Sequence, residues 1–432
     1  MAAAKKSSPW AWVPTLYLAE GLPYALAMSV SVVLYKNLGL ANDLITFWVG
    51  LLGLSWVAKP LWSPVVDLLK TRRLWIWALQ LFIGAALAGV ALSLPLPHFF
   101  QISLALFWLV AFASATHDIA ADGFYLLALD EGDQALFSGV RNTFYRVANI
   151  AAQGGLVVFA GKMYARTGSY TTAWALALAL AADVVLALGI FHRLILPQPA
   201  GDRAGRAVST EIFSANFAET FIAFFRKPQI ITLLAFLLLY RFGEAQLLTV
   251  AKLFLLDSRP QGGLALTNDQ FGKIYGILGV GALLLGGLLG GWAVSQRGLK
   301  FWLWPMLLAI HLPDAVFIWL AYARPDNLVA IGVGVAVEQF GYGFGFTAFM
   351  LYMIYIARGP HATAHYALCT GFMALGLNLP NLWSGWLQQQ LGYPHFFVWV
   401  ILATIPSFLV AWVIPLDKEF GKRNNQPETI KV

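Results

Sequence analysis

The chain has 432 residues, of which 59% are hydrophobic and only 11% are charged, whereas a soluble domain typically carries ~25% charged residues. Because the apolar residues are spread along the whole chain, the composition excludes a water-soluble enzyme and indicates a protein that crosses a membrane many times. The net charge of +7 comes from short basic clusters between apolar runs, a pattern that sets membrane orientation rather than binding nucleic acid. The single cysteine, Cys369, excludes a disulfide framework or a cysteine metal site within one chain.

Apolar runs of ~20 residues predict helices that cross a hydrocarbon core ~30 Å thick. The first run follows Lys5 and Lys6 and is too long for a cleavable signal peptide, so we expect it to remain as the first span. The predicted spans of the first half are 10–36, 44–67, 74–94, 99–129, 136–160 and 171–193. Those of the second half are 229–257, 268–293, 301–321, 327–357, 365–387 and 394–415. The sequence therefore predicts an all-α polytopic membrane protein with twelve transmembrane helices in two six-helix halves.

The domain organisation follows from this plan. We expect an N-terminal six-helix bundle (1–193), a polar cytoplasmic linker (194–228), a C-terminal six-helix bundle (229–415) and a cytoplasmic tail (416–432). A trace of duplication supports it, because NDLITFWVGLLG from Asn42 resembles NDQFGKIYGILG from Asn268 and each opens the second span of its half. Chance similarity of two apolar helices is the alternative, but the matching positions favour the parallel repeats of six-plus-six-helix transporters.

The distribution of basic residues predicts the orientation. Of the 28 Lys and Arg residues, five lie in the predicted external loops: Lys36, Lys162, Arg166, Arg259 and Arg324. Five more lie within the spans: Lys59, Arg146, Arg241, Lys252 and Lys273. The other eighteen lie on the side of the two termini, which predicts that both termini are cytoplasmic.

Ionisable residues inside spans are costly unless they are paired or hydrated, so each one is a functional-site hypothesis. With a rise of ~1.5 Å per residue, five charges from five helices lie about 15 to 18 Å from a membrane edge: Glu20, Asp118, Arg146, Arg241 and Glu338. Transporters bind their substrates at this depth. We therefore predict substrate-binding roles for Glu20, Arg241, Glu338 and the neighbouring Glu244.

Four charges are predicted to couple proton binding to conformational change. Asp118 and Asp122 are four residues apart and share a helical face. Their estimated depths favour pairing Asp118 with Arg146, and Asp122 with Lys59. Loss of a carboxylate's cationic partner makes protonation easier in an apolar site, so such a pair can exchange a proton for a movement. The alternative is a static bridge that fixes helix packing.

Similar alternatives apply to the remaining candidates. Arg241 and Glu244 are three residues apart, so the alternative to substrate binding is that the two side chains neutralise each other. A cavity that binds a sugar-bearing ligand would contain aromatic rings, for which packing is the alternative role. The candidates are Tyr24, Trp56, Tyr145, Tyr240 and Tyr342.

A charged turn after the second span is the predicted gate. It contains Asp67, Lys70, Arg72 and Arg73 and is interpreted either as a latch between helices or as an orientation signal alone. The chain has no Walker-type motif and no metal-ligand spacing, so we expect no ATP-driven transport, no metal and no cofactor. A membrane enzyme with His117 as base and Asp118 as its orienter is disfavoured, because no large soluble loop offers a second substrate a site.

Seven segments together carry a family resemblance over most of the chain: AEGLPYALAMS from Ala19, KPLWSPVVD from Lys59, FASATHDIAADGF from Phe112, YRVAN from Tyr145, LLYRFGEA from Leu238, VEQFGYGFGFTAF from Val337 and HATAHYAL from His361. On these segments the chain resembles the AmpG-type muropeptide permeases, a branch of the major facilitator superfamily that also includes acetyl-coenzyme A transporters. The most specific elements are D-I-x-x-D, Asp118 to Asp122, and K-x-L-W-[SA]-P-x-x-D, Lys59 to Asp67. The chain departs from the family at His117, where Gln is common, and at Leu68, where Arg usually stands. We expect His117 to be a packed or hydrogen-bonded histidine.

The resemblance implies the major facilitator fold and a proton-coupled importer of anhydro-muropeptides, which are disaccharide-peptide fragments of the cell wall. It implies a bacterial inner membrane location, a small-molecule substrate of the sugar-peptide class, protons and membrane lipids as partners, no nucleic acid, and a monomer. A carrier of another amphiphilic solute, such as a siderophore, an acyl-nucleotide or a peptide, is the alternative within the same class. A passive channel or a sensor is disfavoured because the sequence has no soluble signalling domain.

Overall fold

A computed structural model describes residues 8–62, 66, 69–199, 201–202, 221–358 and 362–422, and these residues contain helices and connecting turns but no strand. The helices of the first half are α1 (Pro9–Asn37), α2 (Asn42–Ala58), α3 (Arg72–Ser93), α4 (Phe99–Ala128), α5 (131–167) and α6 (Tyr170–Ile195). The second half contains α7 (Ile230–Leu256), α8 (Asn268–Arg297), α9 (Leu299–Ala323) and α10 (Leu328–Ala357). The run Ala362–Leu402 is interrupted at Gly392, where φ is 70°, and this break separates α11 from α12, which ends with Ile405–Val413.

The predicted twelve-helix architecture in two halves is confirmed. Within the described residues, nine helical segments are long and apolar enough to cross a membrane, and the last of them contains both α11 and α12. The two remaining helices differ from the prediction in extent. Helix α2 ends at Ala58 and passes into a 3-10 turn, Lys59–Leu61. Helix α5 begins at Glu131, five residues before the predicted start, and continues to Thr167.

The early start of α5 has a local cause. Asp130 has an extended backbone, and its side chain accepts a hydrogen bond of 2.9 Å from the backbone N–H of Asp133. This is the N-cap arrangement that satisfies one of the free amides of a helix's first turn. Because the helix begins at Glu131, Arg141 lies within α5 and not in the turn before it.

Helices pack first within each half and then across the interface. In the first half α3 packs against α4 and α6, and α1 packs against α5; in the second, α10 packs against α8 and α9. Between the halves, α1 contacts α7, α2 contacts α11, and α5 contacts α8. The linker residues 203–220 lie outside the described residues, so the predicted domain boundaries remain a prediction.

The helices at the interface are irregular. Helix α1 contains a π-helical turn at Leu26–Val30, α5 one at Ala151–Leu156 and α8 one at Gly272–Gly279, and such turns are frequent at functional sites. The π-helical segments of α5 and α8 pack directly on each other. A Cβ atom at Gly276 would overlap the backbone of Gln153, so the two halves approach here to backbone contact.

Candidate functional site

A cavity lies between the two halves and is lined by both. The first half contributes residues of α1, the end of α2, α4 and α5, and the second half contributes residues of α11. The lining consists of Glu20, Tyr24, Trp56, Lys59, Ser114, Asp118, Tyr145, Thr370, Gly371, Met373 and Ala374. An interface cavity with a few ionisable groups among apolar walls is the usual form of a transporter's substrate site.

An ion pair between Lys59 and Asp118 lies in this lining. The side chains are 32% and 15% exposed, so the pair is partly accessible from the cavity. Glu20, which is 7% exposed, interacts electrostatically with Asp118, and its Oε2 atom has no hydrogen-bond partner among the described residues. Two carboxyl groups and one ammonium therefore share the site, which leaves one negative charge to be compensated by a proton or a ligand.

Asp122 forms a second pair one helical turn away, with Arg141 of α5. The Arg141 guanidinium donates to Asp122 Oδ1 at 2.9 Å, and the Tyr17 hydroxyl donates to the same oxygen at 3.1 Å. Arg141 also lies 4.7 Å from the centroid of the Tyr17 ring. These contacts tie α1, α4 and α5 together next to the cavity.

Both predicted pairings are wrong. Lys59 binds Asp118, and Asp122 binds Arg141, a residue that the sequence analysis counted with the basic residues of the cytoplasmic side. Because α5 begins at Glu131, Arg141 lies in its third turn, and Arg146 lies five residues later, about 140° around the helix. Only one of the two arginines can therefore face the aspartates. Arg146 is half-buried and lies near enough to Tyr342 of the second half to interact electrostatically.

Three aromatic residues form one wall of the cavity. The ring centroids of Tyr24 and Trp56 are 4.9 Å apart in an edge-to-face arrangement, and those of Tyr24 and Tyr145 are 6.4 Å apart. Such a wall offers apolar ring faces together with hydroxyl and indole N–H groups. Tyr240, in contrast, is fully buried and donates to the Gly345 carbonyl, so it packs within the second half.

The second half contains a buried cation with its own counter-ion. Arg241 binds Glu244 through two hydrogen bonds of 2.7 and 3.1 Å and donates to the Tyr342 hydroxyl at 2.8 Å. Arg241 stands at a break in α7, just before the helical segment Phe242–Leu256. The predicted neutralisation within the pair is therefore present. Arg241 also interacts electrostatically with Tyr24 of the cavity wall, so it lies close to the cavity.

Glu338 does not belong to the cavity lining. It is 2% exposed, and its carboxylate accepts a hydrogen bond of 3.0 Å from Gln339. Asp314, which is 1% exposed, interacts with Glu338 electrostatically. The predicted substrate contact of Glu338 therefore remains a prediction.

The predicted gate is described only in part, because Asp67 lies outside the described residues. The backbone amides of Arg72 and Arg73 donate to the Asp202 carboxylate at 2.7 and 3.0 Å. The Arg72 guanidinium donates to the Gly123 carbonyl, and that of Arg73 donates to the Leu196 carbonyl. These contacts join α3, α4 and the end of α6 within the first half, so the role of both arginines in gating stays a prediction.

A second set of polar contacts joins the two halves at one end of the molecule, which we call the closed end and define by residues 36–43, 252–268 and 385–393. Asp257 forms an ion pair with Lys36 and accepts hydrogen bonds from Asn42, at 3.0 Å, and from the Tyr393 hydroxyl. Asn42 also donates to Gln388 at 2.9 Å. Asp257 is 3% exposed, so this network is shielded from solvent.

The internal repeat recurs at the closed end. Asn42 and Asn268 both begin the second helix of their half. Asn42 binds Asp257 directly after α7, and Asn268 binds Asn37 at the end of α1, at 2.5 Å. Each asparagine therefore contacts the end of the first helix of the opposite half.

Several site residues were not found from the sequence. Ser114, Thr370, Gly371, Met373 and Ala374 carry no charge and no pattern that marks a cavity. Arg141 could have been found, because the acidic cap at Asp130 signals an earlier start for α5.

His117 is hydrogen bonded, as expected. Its Nε2 atom lies 2.8 Å from the Gln80 amide nitrogen, Gln80 Oε1 lies 2.8 Å from His192 Nδ1, and His192 Nε2 lies 2.9 Å from the Thr15 hydroxyl. This buried chain joins α4, α3, α6 and α1. His117 therefore points into the first half, away from a role as catalytic base.

The chain is similar to known proteins in sequence and in structure. No family model matches the chain. It is 25% identical over 404 residues to transporter AmpG 4 of Rickettsia conorii, covering 91% of this chain and 94% of the relative. It is 23% identical over 422 residues to the anhydromuropeptide permease of Escherichia coli K12, covering 95% of this chain and 80% of the relative.

Among solved structures, a bacterial homolog of the human lysosomal transporter Spinster, in an inward-facing and unoccupied conformation, superposes with a TM-score of 0.70 at 14% identity, covering 95% of this chain and 98% of that one. The inward-open xylose transporter XylE of E. coli superposes with a TM-score of 0.65 at 12% identity, covering 95% and 96%. At these identities the superpositions establish the fold.

The twelve helices, the two halves and the cavity between them define a multi-pass membrane protein with the major facilitator fold, and the relatives it resembles in sequence are named as a transporter and a permease. The sequence relatives confirm the resemblance to the AmpG-type branch of the major facilitator superfamily that the motifs predicted.

Proposed function

We propose that the protein imports anhydro-muropeptides with protons across the bacterial inner membrane by alternating access. The observation that carries this proposal is the Lys59 to Asp118 ion pair, with Glu20 beside it, in the lining of a cavity shared by both halves. An ion pair within a cavity lining is accessible to protons and cargo, whereas a bridge in the packed core serves stability alone.

The contacts of Asp118 support a sequence of proton binding and release. A proton on the Asp118 carboxyl removes its negative charge and releases the Lys59 ammonium, which then becomes available to Glu20 or to an anionic group of the cargo. Deprotonation re-forms the Lys59 to Asp118 pair. Glu20 lies on α1, Lys59 lies in the turn that follows α2, and Asp118 lies on α4, so the exchange changes the contacts among three segments that line the cavity.

The orientation is proposed from the charge distribution and the closed end. If both termini are cytoplasmic, the closed end faces the periplasm, and the structure represents the state with the external side shut. The ion pair of Lys36 with Asp257 and the hydrogen bonds of Asn42 support this assignment. The halves 1–193 and 229–415 then rock about the central cavity in a monomer, with 194–228 as linker and 416–432 as tail.

The cargo class is proposed from the cavity and from the named relatives. The wall of Tyr24, Trp56 and Tyr145 offers ring faces and polar hydrogens to a sugar, and the Lys59 to Asp118 pair offers charge to a peptide group. The Escherichia coli relative is named a permease of anhydromuropeptides. Another amphiphilic solute, such as a siderophore, an acyl-nucleotide or a peptide, is the alternative cargo.

Uptake into vesicles tests the proposal. Wild-type protein in proteoliposomes should accumulate labelled anhydro-muropeptide when the proton gradient points inward, and a protonophore should abolish accumulation. Unlabelled muropeptide should compete more strongly than a siderophore, an acyl-nucleotide or an unrelated peptide. Uptake that does not depend on the gradient, or that persists when both Asp118 and Asp122 are removed, contradicts proton coupling. Stronger competition by another solute would identify that solute as the cargo instead of a muropeptide.

A further inference from the structure

Lys252 is a buried cation between the two halves. It lies on α7, is 7% exposed, and donates a hydrogen bond of 3.0 Å to the Ser29 hydroxyl on α1. Its ammonium lies 5.7 Å from the centroid of the Tyr275 ring on α8. Among the residues that the structure describes, no carboxylate is within ion-pairing distance of Lys252.

The lack of a counter-ion among the described residues distinguishes Lys252 from two other cations that are at least partly buried. Lys36 is paired with Asp257, and Arg241 is paired with Glu244. An ammonium has three hydrogen-bond donors. The Ser29 hydroxyl accepts from one of them and does not neutralise the positive charge. Burial of an uncompensated charge is costly, so a neutral side chain would pack this contact better. The lysine is therefore explained poorly by packing.

The position of Lys252 indicates when its charge becomes accessible. It lies eleven residues after Arg241 on α7, about 16 Å further toward the closed end, and Ser29 lies nine residues after Glu20 on α1. Helices α1 and α7 belong to opposite halves. In the proposed transport cycle, opening of the closed end separates these two helices, which takes Lys252 away from Ser29 and turns the ammonium toward the path by which cargo reaches the cavity.

We propose that Lys252 is a binding site for an anionic group of the cargo, a carboxylate, in the state in which the closed end is open. Ser29 takes the place of the anion when that end closes. This inference rests on the proposed function, because it names the group of the cargo that the entrance recognises. It also adds a binding residue outside the cavity described above.

Transport of matched cargoes tests the binding role. Lys252→Met should raise the KM for a muropeptide with free carboxylates about tenfold or more, while the KM for the same molecule with amidated carboxylates should differ little from wild type. Lys252→Arg should restore most of the loss. Lys162→Met, which removes an exposed lysine, is the matched control and should leave both KM values unchanged. Equal effects of Lys252→Met on both cargoes would overturn the proposal.

A second measurement needs no cargo, so it separates this inference from the proposed function. Leu256 lies one turn beyond Lys252 on the same face, and the sole native cysteine is buried, so Leu256→Cys in a Cys369→Ser chain gives one reporter. The measured quantity is the rate at which an anionic methanethiosulfonate modifies this cysteine, divided by the rate for a cationic one. The positive charge of Lys252 should raise this ratio. Lys252→Met should lower this rate ratio at least about threefold. An unchanged rate ratio contradicts the anion site, whether or not wild type transports a muropeptide. If the ratio falls but wild type does not transport a muropeptide, the anion site stands and only the proposed cargo is wrong.

Discussion

At the scale of single residues, the site contains one carboxyl group more than its cations can neutralise. Asp118 has Lys59 as its cation, Asp122 has Arg141, and Glu20 interacts with the first pair and forms no ion pair of its own among the described residues. A buried carboxyl without a counter-ion favours proton binding. The two pairs differ in position, because Lys59 and Asp118 line the cavity together with Glu20, whereas Arg141 and Asp122 join helices beside it.

Neutralising Asp118 should separate binding from accumulation. Asp118→Asn keeps the shape of the side chain but holds no exchangeable proton, so we expect cargo to bind and to exchange across the membrane without accumulating against a gradient. Counterflow and gradient-driven uptake in the same vesicles measure the two activities. Asp183→Asn on α6, which makes the same change outside the cavity lining, is the control; normal accumulation by Asp118→Asn would contradict its role.

The Arg241 to Glu244 pair can be tested for structure and function separately. Glu244→Gln leaves a buried guanidinium without its counter-ion and should lower the free energy of unfolding by about 3 to 5 kcal/mol. The double change Arg241→Met with Glu244→Met should be far less destabilising, because no unpaired charge remains. Denaturation in detergent measures both. Lost uptake in the stable double variant indicates a substrate role, whereas retained uptake indicates a static bridge.

At the scale of helices, the sequence predicted which elements exist better than where they begin. Apolar runs determine the number of spans, but the start of α5 depends on the cap at Asp130, and the end of α2 on a turn at Lys59. The partner of each aspartate depends on such ends, because a shift of five residues turns a helix face by about 140°. The depth estimates therefore brought Lys59, Asp118 and Asp122 to one region, but they paired them wrongly and left out Arg141.

The π-helical turns were also beyond the sequence reasoning, because they arise from local backbone geometry that an apolar run does not reveal. The break at Gly392, in contrast, lies between the predicted spans 365–387 and 394–415. The uncharged residues of α11 in the cavity were missed for a related reason, since contact between distant helices depends on the tertiary packing.

The chain of hydrogen bonds from His117 gives a prediction about helix packing. His117→Leu leaves the buried Gln80 amide without its partner and should lower the free energy of unfolding by about 1 to 3 kcal/mol. His117→Gln, which keeps a hydrogen-bonding group, should lower it less. Thermal unfolding of both variants in detergent gives the comparison. Equal stability of His117→Leu and wild type would mean that the chain contributes nothing to the packing of α3 and α4.

At the scale of the whole molecule, the two halves are held together by polar contacts at the closed end and enclose a cavity between them. Alternating access requires that these contacts break in each cycle. The repeat places equivalent asparagines, Asn42 and Asn268, on both sides of this interface. The closed end is thus built from the same segment of each half.

A reversible cross-link at the closed end should stop transport. Gln389 donates to Asp43 across the interface at 3.0 Å; Gln389 is exposed and Asp43 is half-buried. In a Cys369→Ser chain, Asp43→Cys with Gln389→Cys joined by a short, reducible thiol cross-linker should lose uptake and regain it on reduction. The single cysteine variants treated in the same way are the control. Undiminished uptake by the cross-linked protein would mean that this end does not open during transport.

The central claim is that cargo and protons cross the membrane together through the Lys59 to Asp118 site, and proton flux measured during cargo entry tests it most directly. Wild-type proteoliposomes in weakly buffered medium should make the medium more alkaline when anhydro-muropeptide is added, in proportion to the cargo taken up. Asp118→Asn should exchange cargo with no change in external pH. Cargo entry by wild type without proton uptake, or an equal pH change in Asp118→Asn, would contradict the claim.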